Sequence, residues 1–150
     1  MTFHAFKMSL QRMYLLDTNV ISEMRKGARA NHGVQNFFAQ VSETEDRLYI
    51  SVITIGELRR GVELVRHRGD VLQADRLDQW LLIIVDNYSE HVLDFSESEA
   101  QVWGQLRVPH PENAIDKQIA AIALTYDLTI VTRNVNDFRN SGVRLLNPFD

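Results

Sequence analysis

Short apolar runs alternate with longer stretches of helical period along this chain, and that alternation limits its architecture more than any other feature. Met13–Leu16 (MYLL), Leu48–Ser51 (LYIS), His91–Leu93 and Thr129–Thr132 (TIVT) have strand length and composition. Leu145–Leu146 could add an edge strand. Between them the period changes. The pattern predicts helices over Val20–Lys26, stopping at Gly27, and over Gly33–Gln40. In Ile53–Val65 the residues Ile55, Leu58, Val62 and Val65 form an apolar stripe, and Val71–Ile84 is a further helix. Ser96-x-x-Glu99 is a capping box opening a helix to about Arg107, where Pro109 and Pro111 end it. Asn113 precedes a helix to about Tyr126, with Ile115, Ile119 and Ile122 on one face. Strands alternating with helices predict an α/β fold, a short central, mainly parallel β-sheet flanked by helices. With 150 residues, no repeat and no Gly/Ser-rich linker, the chain reads as a single domain.

Composition removes several function classes. There is no cysteine, so neither a disulfide framework nor a zinc–thiolate site is available. The five histidines, His4, His32, His67, His91 and His110, lack metal-ligand spacing, although His110 lies near Asp116 and could line a site there. The N-terminus, MTFHAFKMSLQRM, has no apolar stretch suited to a secretory leader. The longest apolar run, Trp80–Val85, is far below the ~20 residues of a membrane span. A cytoplasmic location without membrane attachment is therefore expected. Met8 and Met13 are alternative starts, and residues 1–12 are a candidate disordered extension ahead of a domain over 13–150. A net charge of −4 has the wrong sign for nucleic-acid binding through bulk charge, so any such activity needs local basic patches and bound cations.

Four acids stand at informative places. Asp17 ends the first strand, Glu57 lies early in the helix after the second, Asp116 lies in the first turn of the Asn113 helix, and Asp137 follows the TIVT strand. In open parallel sheets ligands bind beyond the carboxyl ends of the strands, where at least three of these acids are delivered. Clustered carboxylates repel unless a cation neutralises them, and an all-oxygen donor set suits Mg²⁺ or Mn²⁺ and phosphoryl chemistry. Capping offers a different account of each acid. Thr54-x-x-Glu57 has capping-box spacing, Asn113-x-x-Asp116 places an acid in a first helical turn, Asp17 could be an N-cap, and Asn134-x-x-Asp137 could be a turn. Caps taken singly do not explain why all four acids head for one sheet edge.

Four stretches carry a resemblance to a known family: Leu15-Leu16-Asp17-Thr18-Asn19-Val20-Ile21-Ser22-Glu23, Ile53-Thr54-Ile55-Gly56-Glu57-Leu58-Arg59-Arg60-Gly61, Asp116-Lys117-Gln118-Ile119-Ala120-Ala121 and Thr132-Arg133-Asn134-Val135-Asn136-Asp137-Phe138. Each motif is weak alone, but four in this order resemble the PIN-domain ribonucleases, in particular the VapC/FitB-like toxins of type II toxin–antitoxin modules. The resemblance runs from about Met13 to Phe149. It implies a metal held by Asp17, Glu57, Asp116 and the more variable Asp137. It also implies that Thr132 and Asn134 help hold the site and that Asn19 orients the first acid. Its further implications are an endoribonuclease that blocks translation and growth, Mg²⁺ with Mn²⁺ as substitute, a cognate antitoxin and a homodimer. Lys117 departs from the family, which often has a small residue there; solvent, Asp116 or a phosphate are its alternative partners.

Arg25, Arg59, Arg60 and Lys117 are candidate RNA contacts, Arg59 and Arg60 lying within one turn of Glu57. For Arg59 the competing expectation is an i,i+4 pair with Glu63. Trp80 and Trp103 fall in apolar-periodic helices and are expected in the core. The Val71–Val85 segment, with Leu77, Leu81, Ile84 and Val85, could face a partner or its own core. Two other functions compete: a non-catalytic RNA- or partner-binding PIN-like module, and a receiver-like signalling domain. The latter needs a lysine after the last strand, and none follows residue 117.

Overall fold

A computed structural model describes residues 11–150. The first ten residues of the expected extension over 1–12 lie outside the described residues. Arg12 is tied to the chain further on: its N–H donates to Asp46 Oδ1 at 3.0 Å, and its carbonyl accepts from Arg47 N–H at 2.9 Å.

Five strands form one sheet: β1 (Met13–Leu16), β2 (Arg47–Ser51), β3 (Val92–Leu93), β4 (Thr129–Val131) and β5 (Leu145–Leu146). Their order is β3-β2-β1-β4-β5, and every pairing is parallel. The order is not the 2-1-3-4-5 of receiver-like domains, so the receiver reading fails on topology. Six α-helices connect the strands: α1 (Thr18–Met24), α2 (His32–Thr44), α3 (Val52–His67), α4 (Val71–Asn87), α5 (Glu97–Leu106) and α6 (Ala114–Tyr126). Short 3₁₀ turns cover Gly27–Arg29 and Val135–Ser141. The sequence pattern located every strand and α-helix, but neither 3₁₀ turn, and it cut α2 and α4 short at their C-terminal ends.

Alternation along β1 divides the core into two layers. Tyr14 and Leu16 face a cluster with Val20, Val34, Leu58 and Leu81, whereas Leu15 faces one with Ile119, Ile122, Ile130 and Phe138. Helices α1–α4 thus cover one face of the sheet and α6 the other. Leu81 and Ile84 are buried in the first layer, with Leu77, Trp80 and Val85 packed against it. Of the two alternatives for Val71–Val85, these residues take their own core; the large apolar residues that α4 exposes are Val71, Leu72, Leu82 and Ile83. Ile119 and Ile122 are buried as expected, but Ile115, on the first turn of α6, is 46% exposed and outside the core cluster they join.

The C-terminus closes the molecule over α2. Asn31 Oδ1 accepts from the N–H groups of Gly33 (2.9 Å), Val34 (3.3 Å) and Asp150 (3.2 Å). A β-carbon at Gly33 would sit 2.1 Å from the Pro148 carbonyl oxygen, so only glycine permits this approach.

Candidate active site

The strand order reverses between β1 and β4, and Asp17 and Thr132 stand at the carboxyl ends of those two neighbours. This is the position where an open parallel sheet leaves a crevice. Asp17 is buried, 4% exposed, and is also the N-cap of α1: Oδ1 accepts from Thr18 N–H at 2.8 Å. Oδ2 accepts from the Thr132 hydroxyl at 2.8 Å and from the Asn19 amide at 3.2 Å. The same amide donates to Thr132 Oγ1 at 3.1 Å, and Asn19 Oδ1 accepts from Arg133 N–H at 3.0 Å. Asn134 joins through its backbone, donating to Thr132 Oγ1 at 3.0 Å. The capping reading of Asp17 is therefore correct but incomplete, because a cap needs one oxygen and the second is held by Asn19 and by Thr132, 115 positions away.

The other acids are carried by three different elements. Ser51, not Thr54, caps α3: Ser51 Oγ accepts from Thr54 N–H at 3.1 Å. Glu57 consequently lies in the second turn of α3, and its capping-box reading is excluded. Asp116 is in the first turn of α6. Only Asp127 and Leu128 separate α6 from β4, so the helix runs antiparallel to the strand and begins at the strand's carboxyl edge. Asn113 has left-handed backbone geometry and makes no side-chain cap. Asp137 sits in the 3₁₀ turn after β4, beside the buried Phe138.

Electrostatics links the four. Burial pushes the Asp116 carboxyl up to about 6, and the charges of Asp17, Asp137 and Glu57 push it the same way. Asp17 is raised as well: burial, reinforced by the charge of Asp137, outweighs the hydrogen bonds from Thr132, Thr18 and Asn19. Among the described residues no arginine or lysine forms a salt bridge with any of the four acids. The four acids thus concentrate negative charge without a salt-bridged counter-ion among the described residues, a condition a divalent cation relieves. The donor set is entirely oxygen, which suits a hard ion. The fit is one of charge and chemistry rather than of a closed cage: no group of three acids or histidines among the described residues is arranged to hold one ion.

The basic candidates divide. Arg25 is exposed, its guanidinium 6.0 Å from the Trp80 ring centroid. Arg59 pairs with Glu63 at 3.3 Å and with Asp78 of α4 at 2.9 Å, so it staples α3 to α4. Arg60 is exposed, with no carboxylate partner among the described residues. Lys117 is not in solvent: it is 8% exposed, and its ammonium donates to the His110 carbonyl. The side chain of His110 is itself exposed and lies 3.5 Å from Glu112. Trp80 is half-buried and packs against the core, whereas Trp103, expected there too, is half-buried outside both core clusters, its Nε1 donating to the Ala114 carbonyl at 3.0 Å. Arg133 was missed as a basic candidate. It directly follows Thr132, is exposed, and stacks 4.1 Å from the Phe149 ring centroid. Its place inside the fourth motif was the available signal.

Comparisons with known proteins agree with this architecture. Residues 14–142 match the model of the PIN domain. Toxin FitB of Neisseria gonorrhoeae is 34% identical over 144 residues, covering 91% of this chain and 99% of FitB. VapC ribonuclease Y4jK of Sinorhizobium fredii is 30% identical over 141 residues, covering 92% and 99%. The crystal structure of FitAcB from Neisseria gonorrhoeae superposes with a TM-score of 0.70 at 33% identity, over 91% of this chain and 98% of that one. Sheet order, the acids at the switch point and near full-length similarity together place this chain in the PIN-domain family, in the branch that holds the VapC and FitB proteins.

Proposed function

We propose that this protein is a Mg²⁺- or Mn²⁺-dependent endoribonuclease, the toxin of a type II toxin–antitoxin module, acting in the cytoplasm to block translation and growth. The observation that carries this reading is the grouping of Asp17, Glu57 and Asp137 around Asp116, whose carboxyl is lifted by burial to about 6 with the three neighbouring charges pushing the same way. Four uncompensated carboxylates cost stability, so their concentration in one crevice suits a function that brings a cation there. The similarity to a VapC ribonuclease and to toxin FitB supports RNA as substrate and the toxin role.

Asp17, Glu57, Asp116 and Asp137 would hold the ion. When bound, it supplies Lewis-acid chemistry for hydrolysis of a phosphodiester. The chain's own groups do the rest. Thr132 and Asn19 fix Asp17 in one orientation from two sides. One of the four carboxylates could accept a proton from the attacking water. Arg60 and Arg133 are exposed cations suited to RNA phosphates. A cognate antitoxin would inhibit by covering the surface. Leu72, Leu82 and Ile83 on the outer side of α4 are the apolar residues available to a homodimer. A non-catalytic RNA- or partner-binding module is the weaker reading, because it gives no reason to orient Asp17 with three hydrogen bonds.

The test is cleavage of cellular RNA by the purified protein. Activity should require Mg²⁺ or Mn²⁺, vanish in EDTA, and be absent from Asp17→Asn. Cleavage that persists in EDTA rejects the metal mechanism, and no cleavage with either metal rejects the nuclease.

A further inference from the structure

Lys117 poses a problem that the acid cluster does not solve. A lysine is rarely buried without a carboxylate partner, because removing an ammonium from water is costly. Lys117 is 8% exposed, yet none of the salt bridges among the described residues includes it. Its ammonium has three N–H donors, and the His110 carbonyl is the one acceptor it meets among the described residues.

Lys117 also lines a notch of about 40 Å³ between α6 and the Val135–Ser141 turn. Its polar rim includes Glu112, Asn136, Asp137 and Asn140. The side chains of Asn136 and Asn140 are exposed, and no hydrogen bond among the described residues uses them. Ala120 and Phe138, both buried, supply an apolar floor. Asp137 belongs to the acid cluster, so the notch opens directly beside the reaction site.

The mixture of groups selects the ligand. A second phosphate would meet the carboxylates of Glu112 and Asp137. A nucleobase edge carrying both acceptors and donors would satisfy an ammonium, amides and a carboxylate together. Guanine fits best: its O6 and N7 accept from lysine, and its adjacent N–H groups donate to a carboxylate. We infer that Lys117, Asn136, Asn140 and Glu112 form a subsite for the guanine edge of an RNA nucleotide next to the cut. This inference rests on the ribonuclease reading above.

The test uses the purified full chain with Mg²⁺ on a pool of random-sequence RNA, with the cut ends sequenced. The wild type should favour guanine at one fixed position beside the cut by about fivefold or more, the discrimination expected of a good base contact. Lys117→Met, which keeps the buried stem, should still cut but with the preference reduced to about twofold or less; the Asn136→Ala/Asn140→Ala double variant should weaken it. If Lys117→Met does not fold, the double variant at exposed positions decides. Unchanged preference in the folded variants, with rates altered equally at all sites, would make Lys117 only a staple for the His110 loop and overturn the subsite. No guanine preference in the wild type also overturns it. A wild type that cuts no RNA at all fails earlier, at the nuclease itself, and takes the subsite with it.

Discussion

Replacing Asp116 with asparagine should make the metal-free protein more stable at neutral pH while destroying its response to metal. The folded-state carboxyl titrates at about 6, against an ordinary value of 3.8. As pH rises between these values the unfolded chain has released this proton and the folded chain still holds it. The unfolded state therefore binds fewer protons, and stability falls through the window from about 4 to 6 and stays lower above it. If the whole difference arises on folding, the penalty is about 3 kcal/mol. Partial solvent access to Asp116 reduces this to roughly 1–2 kcal/mol. Asparagine keeps the shape and removes the charge. In urea titrations with EDTA, wild type and Asp116→Asn should be of similar stability near pH 4, and the variant should lead by roughly 1–2 kcal/mol at pH 7.5. For a chain of this size that is a rise in Tm of about 3–6 °C. Millimolar Mg²⁺ should stabilise the wild type and not the variant. The reasoning is refuted if the gap between the two proteins does not change with pH, or if the wild type is the more stable of the pair at pH 7.5 in EDTA.

Other substitutions probe separate links. Asp17→Asn should abolish both RNA cleavage and growth arrest on expression without an antitoxin; growth arrest by this variant would count against the acid cluster. Thr132→Val removes a 2.8 Å hydrogen bond that orients Asp17, and should weaken Mg²⁺-dependent cleavage by about 10–100-fold with the fold intact by circular dichroism. Gly33→Ala should push the Pro148–Asp150 segment off α2, costing about 1–3 kcal/mol in urea denaturation. Arg60→Ala should raise KM for RNA, whereas Arg59→Ala should leave KM unaltered, because Arg59 is committed to Asp78 and Glu63. Equal effects of the two would show that the pairing does not decide which arginine meets RNA.

The succession of strands and helices was legible along the chain because periodicity and capping are local. The Ile55–Leu58–Val62 stripe, the Ser96–Glu99 box, where Ser96 N–H donates to the Glu99 carboxylate at 3.2 Å, and the apolar TIVT run each declare an element within a few residues. The places of the four acids on these elements were legible too. What each side chain meets was not. Thr54 had the spacing to cap Glu57, and the fold gave the cap to Ser51. Lys117 had the composition of a surface residue, and the return of the His110 loop buried it. Arg59 found its strongest partner nineteen positions away on a different helix. Gly33 had no local reason to be glycine until the C-terminus crossed it. Hydrophobic period and turn chemistry act over a turn or two of chain, so sequence determines which elements exist and which face each buries. Which charges repel, pair or remain unpartnered depends on sheet order and helix crossings, which join segments distant in sequence, and only the tertiary structure decides them.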